Sequence, residues 1–465
     1  FWLKIQGMKV GWVIWAPCVG GQVAGMFSGP PGGGNEFRCP QTGLWPEMYQ
    51  KVNEGAIAFN SGQFVDAKRI LRDAITAATS DLHVAFQCAL GLSAAYRALA
   101  FAYCADQRVD PRSQAYIRAN QIGLRFMHLA MNWLTWAFVK DGENTAEYVD
   151  NSVWPITIQQ INDEMTVVQN VVRQAGYDGH LPTWADVPLD FRSNLKIVIV
   201  SLCAYPPGHV LTPLSVSNKE IYVKRFGYDL IVERQRRDEG RPHAWGKIRV
   251  MQQYIAEGRW DWVVWLDCDS YFMNVNQTLD SIIFKYGAVG PPAPGQEPQL
   301  DPSFETLVSE DKAMLNTGVF FMKSTQTNLR LLEECWGGAR SPFIDHPWWE
   351  NAAFTWLFLK DNMDKFLNED HMVFQQHEND MLKDVYPSYV RLAPQVEFNS
   401  YHPITSRFLH DTWEPGKFIM SFSGVQSSSS PTVIKFVYSN YYREFCELNA
   451  VTDECIPLAN ELPWQ

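Results

Sequence analysis

Cysteine is scarce in this chain, which has nine cysteines among 465 residues. So few cysteines exclude a small scaffold held together mainly by disulfides. Cys446 and Cys455 are close enough in sequence to close a C-terminal loop with a disulfide, and two free thiols are an equally good interpretation. Because the total is odd, at least one cysteine has no partner within the chain. Cysteine usage therefore leaves the redox compartment open.

Long apolar runs are also lacking. Residues 8–29 fall short of the clean run of ~20 apolar residues that a membrane span requires, because Pro17, Gly20 and Gly21 interrupt them. Their one lysine, short apolar core and small residues form a weak signal-peptide pattern, and an irregular N-terminal arm is the other interpretation. Elsewhere the sequence predicts no membrane span.

Positive charge is in deficit, with 39 lysines and arginines against 51 aspartates and glutamates and a net charge of -12. This balance disfavours nucleic acid or an anionic membrane surface as a partner. It does not exclude a small ligand that carries phosphate, because a divalent cation can join carboxylates to phosphate oxygens.

The length and the 46% hydrophobic composition allow more than one buried core, so we predict two domains. Residues 1–46 are predicted to be an N-terminal arm and linker. Residues 47–185 are rich in Ala, Leu, Met and aromatics and predict an all-α domain. Within it, residues 54–75 are spaced like one tetratricopeptide repeat. No second copy follows at that period, so a plain helical bundle is favoured.

Residues 190–440 predict an α/β domain, and residues 441–465 a C-terminal tail. The run at 195–204 is continuous and β-branched, as expected of a strand buried on both faces. A second strand at 228–233 and an amphipathic helix at 246–258 precede a third apolar strand, WVVWL. Alternating buried strands and amphipathic helices predict a mostly parallel sheet.

Two aspartates, Asp267 and Asp269, follow the third strand. In open parallel sheets, ligands bind beyond the carboxyl ends of the strands, and the two-residue period turns both side chains to the same side. Two like charges this close raise the pKa of one carboxyl unless a cation compensates. A divalent cation that also binds diphosphate oxygens would do so. The alternative is a turn in which Asp269 caps a loop and Asp267 is solvated.

Six motifs in sequence order carry a resemblance to a known family. They read HAWGKIRVMQQYI, WDWVVWLDCDSYFMN, MLNTGVFFMKST, WWENAAFTWLF, EFNSYHP and KFIMSFSG. They resemble glycosyltransferase family 34, which contains yeast Golgi α-galactosyl- and α-mannosyltransferases and plant xyloglucan α-xylosyltransferases. The resemblance covers about residues 195–424 and leaves the helical half unmatched. It implies a GT-A fold, a nucleotide-sugar donor, Mn²⁺ dependence and retention of anomeric configuration.

The resemblance implies roles for several residues on the donor side. Asp269 would contact the metal, and Asp267 would hold the ribose or the metal's water as a further member of the metal site. Lys247 matches a W-x-K motif and would lie near nucleotide or phosphate oxygens, unless it only extends along the surface. Asn316 and Gly318 would lie beside the donor sugar, because an amide pairs with hydroxyls in both directions and glycine permits close backbone approach. A simple turn is the alternative for this LNTG string.

Other roles concern catalysis and the acceptor. Glu350 and Asn351 stand at the acidic and amide positions of a family motif and join Asn316 as catalytic candidates. Glu350 would steady the reacting sugar or orient the acceptor, and a carboxylate that merely favours a helix N-terminus is an equal alternative. Asn399, in a string closer to the fungal branch of the family, would hydrogen-bond the acceptor.

The chain departs from the family where a histidine usually completes the metal shell. The string SFSG places Ser421 at that position, and a hydroxyl is a poor substitute for an imidazole ligand. Metal binding is therefore expected to be weakened, unless His410 or a water fills the site. Cys268 occupies the middle of D-x-D, where serine is commoner. Its side chain is expected to point the other way, with little effect.

These observations favour a metal-assisted, retaining glycosyltransferase that moves a hexosyl or pentosyl unit from a UDP- or GDP-sugar to an oligosaccharide, polysaccharide or glycoprotein. The alternative is a catalytically degenerate glycan-binding protein with a helical scaffold. A nucleotidyltransferase is disfavoured, because no lysine or arginine follows the first strand closely. The resemblance implies a Golgi membrane or secretory-pathway lumen, and the helical domain is a candidate surface for a protein partner.

Overall fold

The structure, a computed structural model, describes residues 44–80, 85, 88–104, 114–142, 153–174, 182–238, 240–311, 315–337, 343–368, 386–403, 411–425 and 430–457. The predicted signal-peptide pattern, most of the N-terminal arm and His410 lie outside the described residues. None of the helices within the described ranges combines the length and the apolarity that crossing a membrane requires.

The N-terminal part of the described chain is helical, as its composition predicts. Its helices are α1 (Leu44–Asn60), α2 (Phe64–Thr79), α3 (Ala89–Cys104), α4 (Gln114–Gly142) and α5 (Val153–Gln174). Helices α1 and α2 approach closely at Gly55, where a Cβ atom would lie 2.7 Å from Cγ of the fully buried Leu71. Only glycine permits this approach, so the small residues do bring the two helices together.

An α/β region follows. Its strands are β1 (Ile197–Leu202), β2 (Asp229–Glu233), β3 (Trp262–Leu266), β4 (Ser270–Phe272), β5 (Thr306–Glu310), β6 (Leu315–Lys323), β7 (Val390–Pro394), β8 (Ser400–Tyr401) and β9 (Ile419–Ser421). Its helices are α6 (Leu211–Phe226), α7 (Gly246–Glu257), α8 (Leu279–Gly287), α9 (Gln326–Trp336), α10 (Trp349–Asn368) and α11 (Pro431–Leu448).

The main sheet has the strand order β2-β1-β3-β6-β5-β7. Strand β6 runs antiparallel to both of its neighbours, and the other five strands run in one direction. A small second sheet has the order β4-β9-β8. The structure therefore confirms a mostly parallel α/β sheet behind a helical region.

Strand β1 is buried on both faces, as its continuous β-branched run predicts. Val198 and Val200 belong to one hydrophobic core, which also contains residues of α7, α9, α10 and the helical region. Ile197 and Ile199 belong to the other core, with residues of α6, α8 and α11. This alternation follows from the two-residue period of a strand. The helical region thus shares a core with one face of the sheet.

Polar contacts also join the helical region to the α/β region. Nε2 of His346 lies 3.0 Å from the carbonyl oxygen of Asn132 on α4. Nη1 of Arg125, also on α4, lies 2.6 Å from Oε2 of Glu310, the last residue of β5. Helix α4 is therefore fixed against the edge of the sheet where the parallel strands end.

Candidate active site

The D-x-D aspartates lie at the carboxyl edge of the sheet. Asp267 follows β3 directly, and its backbone N–H donates to the carbonyl oxygen of Gly318 on β6 at 2.8 Å. Because β6 is antiparallel to β3, the start of β6 reaches the same edge as the end of β3. The fold therefore brings the D-x-D motif and the LNTG motif together, as the sequence predicted for a donor site.

Asp267 is held by two donors. Its Oδ1 accepts a hydrogen bond from the indole Nε1 of Trp265 at 2.6 Å and lies 3.2 Å from Nζ of Lys247. Its side chain keeps 28% of its exposure, so one side of the carboxylate still faces solvent. Asp267 is thus a fixed carboxylate at the mouth of the site, rather than a freely solvated one.

Lys247 is buried, with its side chain only 4% exposed. Its Nζ lies 2.8 Å from Oε1 of Glu350 and donates to the carbonyl oxygen of Thr317 at 2.9 Å. Burial alone would lower the pKa of Lys247, but the carboxylates of Asp267 and Glu350 outweigh it and raise that pKa. The alternative of a lysine extended along the surface is therefore wrong.

Glu350 lies in the first turn of α10 and is fully buried. Besides Lys247, its Oε1 accepts a hydrogen bond from Oγ1 of Thr317 at 3.0 Å, while Oε2 has no hydrogen-bond partner among the described residues. Oδ1 of Asn351 accepts from the backbone N–H of Thr317 at 2.8 Å. Glu350 is near a helix N-terminus and is also part of the charged cluster, and its role towards the reacting sugar or the acceptor stays a prediction.

Asn316 organises the other side of the LNTG segment. Its Oδ1 accepts hydrogen bonds from the N–H of Gly318 at 2.8 Å and from Nδ2 of Asn399 at 2.9 Å. Its Nδ2 donates to the hydroxyl of Tyr401. A Cβ atom on Gly318 would lie 3.0 Å from Oδ1 of Asn316 and 3.4 Å from Oδ2 of Asp267, so glycine lets these side chains pack against the backbone, and its approach to a donor sugar stays a prediction. Both ends of the Asn316 amide contact the protein itself.

Asp269 differs from Asp267 in its surroundings: its own backbone N–H and the charges of Lys247 and Lys219 lower its pKa, but burial outweighs them. Loss of solvent contact raises the pKa of Asp269 to about 7, and the charge of Asp267 adds to this effect. A half-buried carboxylate whose charge is so poorly compensated is a good ligand for a cation.

A lysine that the sequence analysis did not single out lies beneath the aspartates. Lys219 of α6 is fully buried, and its Nζ donates to Oγ of Ser215 at 2.5 Å and to the carbonyl oxygen of Ser270 at 2.9 Å. Burial lowers the pKa of Lys219 to about 7, against the opposing effect of Asp269 and Asp267. The sequence feature that could have identified Lys219 is its position four residues after Ser215 on the apolar face of a helix.

The position of the missing family histidine does lie beside the aspartates. Ser421 on β9 pairs with Ser270 on β4, and the N–H of Phe422 donates to the carbonyl oxygen of Asp269 at 2.8 Å. The Ser421 hydroxyl is buried, 2.7 Å from Oγ of Ser423. The described residues contain no group of three or more His, Cys, Asp and Glu side chains that could hold a metal ion.

The described residues contain two disulfides. Cys446 and Cys455 form one, which is the first of the two interpretations that the sequence left open. Cys268, between the two aspartates, forms the other with Cys203, which directly follows β1. The Cys268 side chain therefore does have a structural effect, because it joins the D-x-D turn covalently to the residue that follows β1.

A cleft of about 720 Å³ is lined in part by Cys203. Its lining includes Tyr205 and His209, whose rings stack with centroids 4.6 Å apart, and also Arg234 and Lys435. The loop that follows β1 contains no lysine or arginine of its own. Arg234 comes from the end of β2 and Lys435 from α11, so the fold supplies cations that the local sequence lacks.

Trp349, at the start of α10, has an exposed side chain and a backbone φ of 47°. A bulky residue in the left-handed region is strained, and such strain concentrates at functional sites. No role for Trp349 was predicted from the sequence. Its neighbour in the chain is Glu350, a member of the charged cluster.

A family model described as the galactosyl transferase GMA12/MNN10 family, glycosyltransferase family 34, matches residues 194–431, about half of the chain. The chain belongs to this family. The resemblance predicted from six motifs is confirmed. Membership agrees with the mostly parallel α/β domain that the structure shows.

One curated relative is the probable alpha-1,6-mannosyltransferase MNN10 of Saccharomyces cerevisiae, 23% identical over 204 residues. The match covers 40% of this chain and 45% of that protein, less than half of its length. A crystal structure of a glycosyltransferase involved in the glycosylation of the major capsid of PBCV-1 has a TM-score of 0.36, 16% identity, and coverage of 52% and 98% of the two chains. The Streptococcus pneumoniae TIGR4 glycosyltransferase GlyE has a TM-score of 0.26, 13% identity and coverage of 57% and 65%.

Proposed function

We propose that this glycosyltransferase transfers a hexosyl or pentosyl unit from a UDP- or GDP-sugar to a carbohydrate hydroxyl, with retention of anomeric configuration and with a divalent cation such as Mn²⁺. The acceptor would be an oligosaccharide, a polysaccharide or a glycoprotein glycan. The observation that carries the proposal is the ion-paired cluster of Lys247, Glu350 and Asp267 at the sheet edge where Asp269 also lies. Because one relative is named a mannosyltransferase, mannose is the sugar to test first.

The D-x-D pair suits a cation that the donor helps to bind. Small divalent cations commonly keep several waters and take one or two protein carboxylates plus substrate phosphates, so a site with few protein ligands fits them. We assign Asp269, whose charge its surroundings compensate poorly, to the cation. Asp267, already held by Lys247, would bind the metal's water or the ribose, and His410 is a proposed further ligand. The bound cation would stabilise the negative charge that develops on the leaving diphosphate.

We place the nucleotide in the cleft beside Cys203. The stacked rings of Tyr205 and His209 offer an aromatic face to a base, and Arg234 adds positive charge near the phosphates. The cleft adjoins the D-x-D turn through the disulfide, so a nucleotide there would direct its diphosphate towards Asp269. Gly318 and Asn316 would then lie beside the sugar.

Retention by same-face attack agrees with the surroundings of Glu350. This carboxylate is fully buried and paired with Lys247, so it is poorly placed to act as a free nucleophile. We propose that Glu350 and Asn351 instead fix Thr317 and the start of β6, which would hold the reacting sugar in position. Orientation of this kind contributes much of the rate in group transfer.

The acceptor side is assigned to Asn399 and Trp349. Asn399 is held through its Nδ2, and its Oδ1 has no hydrogen-bond partner among the described residues, which leaves an acceptor atom for a sugar hydroxyl. The exposed ring of Trp349 would pack against the apolar face of a sugar. Together they would define where the acceptor enters.

The two disulfides support a secretory-pathway lumen such as the Golgi, because disulfides persist in oxidising compartments and are rare in the cytosol. A membrane anchor and a protein partner for the helical region remain proposals taken from the sequence.

The test is a transfer assay with the full chain, UDP- and GDP-sugars, a mannose-containing oligosaccharide, and Mn²⁺ or EDTA. We expect sugar transfer or donor hydrolysis that EDTA abolishes. Turnover that persists in EDTA would contradict the metal site. An inert protein that still binds the oligosaccharide would instead establish the degenerate glycan-binding alternative, which the serine at position 421 favours.

A further inference from the structure

A covalent bond joins the D-x-D turn to the end of β1. Cys203 directly follows β1, Cys268 lies between the two aspartates, and their Cα atoms are 5.1 Å apart. Both side chains are buried. The two cysteines are separated by 65 positions in the sequence, so the bond fixes two segments that come together only in the fold.

Cys203 also forms a hydrogen bond with the end of another strand, β2. Its backbone N–H donates to the carbonyl oxygen of Glu233, the last residue of β2, at 2.8 Å. The next residue, Arg234, lines the cleft together with Cys203. One cysteine thus connects the carboxyl ends of β1, β2 and β3, so the cleft wall and the aspartate turn belong to one unit.

Hydrogen bonds from a helix hold the backbone of the D-x-D turn as well. Oγ of Ser215 donates to the carbonyl oxygen of Cys268 at 2.6 Å, and Nζ of Lys219 donates to that of Ser270 at 2.9 Å. Both donors belong to α6, so they fix the turn relative to that helix. The disulfide instead fixes the turn relative to β1 and the cleft.

We propose that the Cys203–Cys268 disulfide is a positioning element of the donor site, which sets the separation between the cleft for the nucleotide and the aspartates for the cation. The inference rests on the proposed function. A nucleoside diphosphate must reach both places at once, so a small shift of either one weakens binding. The disulfide acts through Asp267 and Asp269 and does not itself touch the reacting atoms.

The test compares two double variants of the full chain. C203A/C268A removes the proposed positioning bond, and C446A/C455A removes the other disulfide as a matched control. Binding of UDP and of GDP with Mn²⁺ is measured by calorimetry, together with thermal unfolding and the KM for donor and acceptor. We expect both variants to unfold at lower temperature, and only C203A/C268A to bind the nucleotide about tenfold more weakly, with a raised donor KM and an unchanged acceptor KM.

Equal nucleotide affinity in C203A/C268A and the wild type would overturn the inference and leave the proposed function standing. A wild type that binds neither nucleotide would overturn both. If the alanine variant does not fold, C203S/C268S keeps the side-chain volume without the bond and serves as the same test, with the same expected loss of affinity. A similar loss in C446A/C455A would show a general effect of stability and would also overturn the inference.

Discussion

Nζ of Lys247 and Oε1 of Glu350 lie 2.8 Å apart in a site almost closed to solvent, and this ion pair joins α7 to the first turn of α10. The same ammonium lies 3.2 Å from Oδ1 of Asp267. One lysine therefore compensates two carboxylates and connects the proposed donor end of the site to α10, which begins at the acceptor-side candidate Trp349.

Replacement of this lysine should affect both stability and activity. Lys247→Met leaves two carboxylates without their cation, and breaking a buried pair in this way costs about 3–5 kcal/mol. We expect a loss of that size in urea unfolding, and loss of transfer. K247M/E350Q should recover part of the stability but not the activity. Lys224→Met, which breaks the exposed pair with Glu454, should cost less than about 1 kcal/mol.

The two aspartates should respond differently to the same substitution. Asp269→Asn removes a poorly compensated charge, so the free energy of unfolding should stay equal or rise. Asp267→Asn weakens the contact with Lys247 and should cost about 1 kcal/mol. Both should lower Mn²⁺-dependent transfer, D269N by at least about 100-fold. Full activity in D269N would exclude this residue from the metal site.

Substitution of Ser421 would show whether its hydroxyl binds the metal in place of the family histidine. Its Oγ is already within hydrogen-bond distance of Ser423, so Ser421→Ala should cost about 1 kcal/mol of stability. We expect the Mn²⁺ concentration for half-maximal transfer to change little. A large rise in that concentration would show that Ser421 contributes to metal binding after all.

His346 should make the free energy of unfolding depend on pH. Its Nδ1 accepts from the N–H of Trp348 and its Nε2 faces the carbonyl oxygen of Asn132, which defines a neutral ring. Burial lowers the pKa of His346 from 6.5 to about 4, although the bond to Asn132 opposes this. The unfolded chain therefore binds more protons between these values, so stability falls as the pH drops from 6.5 to about 4.

The measurement is urea unfolding at several pH values in this window. His346→Gln removes the titrating group, so its stability should fall less steeply with acid than that of the wild type. His402→Gln removes another histidine whose pKa burial lowers to about 4, so it should also reduce the acid dependence, and the effects of the two substitutions should add. Parallel pH profiles for the wild type and H346Q would contradict the neutral buried ring.

Trp349 should show opposite effects on stability and on acceptor binding. Trp349→Gly relieves the backbone strain, which is worth about 1 kcal/mol, but removes the ring. We expect equal or higher stability with a raised acceptor KM and an unchanged donor KM. Trp349→Phe keeps an aromatic ring and should keep most of the acceptor affinity. An unchanged acceptor KM in W349G would exclude a role in acceptor binding.

Local sequence was enough to predict the residues whose position depends on one strand or one helix. Asp267 and Asp269 follow a short apolar run, and a strand in a parallel sheet ends where ligands bind. Lys247 was recognised from a motif next to a tryptophan. The alternation of strands and helices predicted the class of fold, because its hydrophobic period depends only on nearby residues.

The partners of these residues could not be predicted in this way. Lys219 beneath the aspartates, Arg234 in the cleft and the pairing of Cys203 with Cys268 each join segments far apart in the sequence. The sequence by itself determined which strand ends in paired carboxylates and which family the chain belongs to. Only the tertiary structure decided which lysine, which cysteine and which cleft lie beside these carboxylates. The reason is that strand order and packing, rather than local pattern, set the contacts between distant residues.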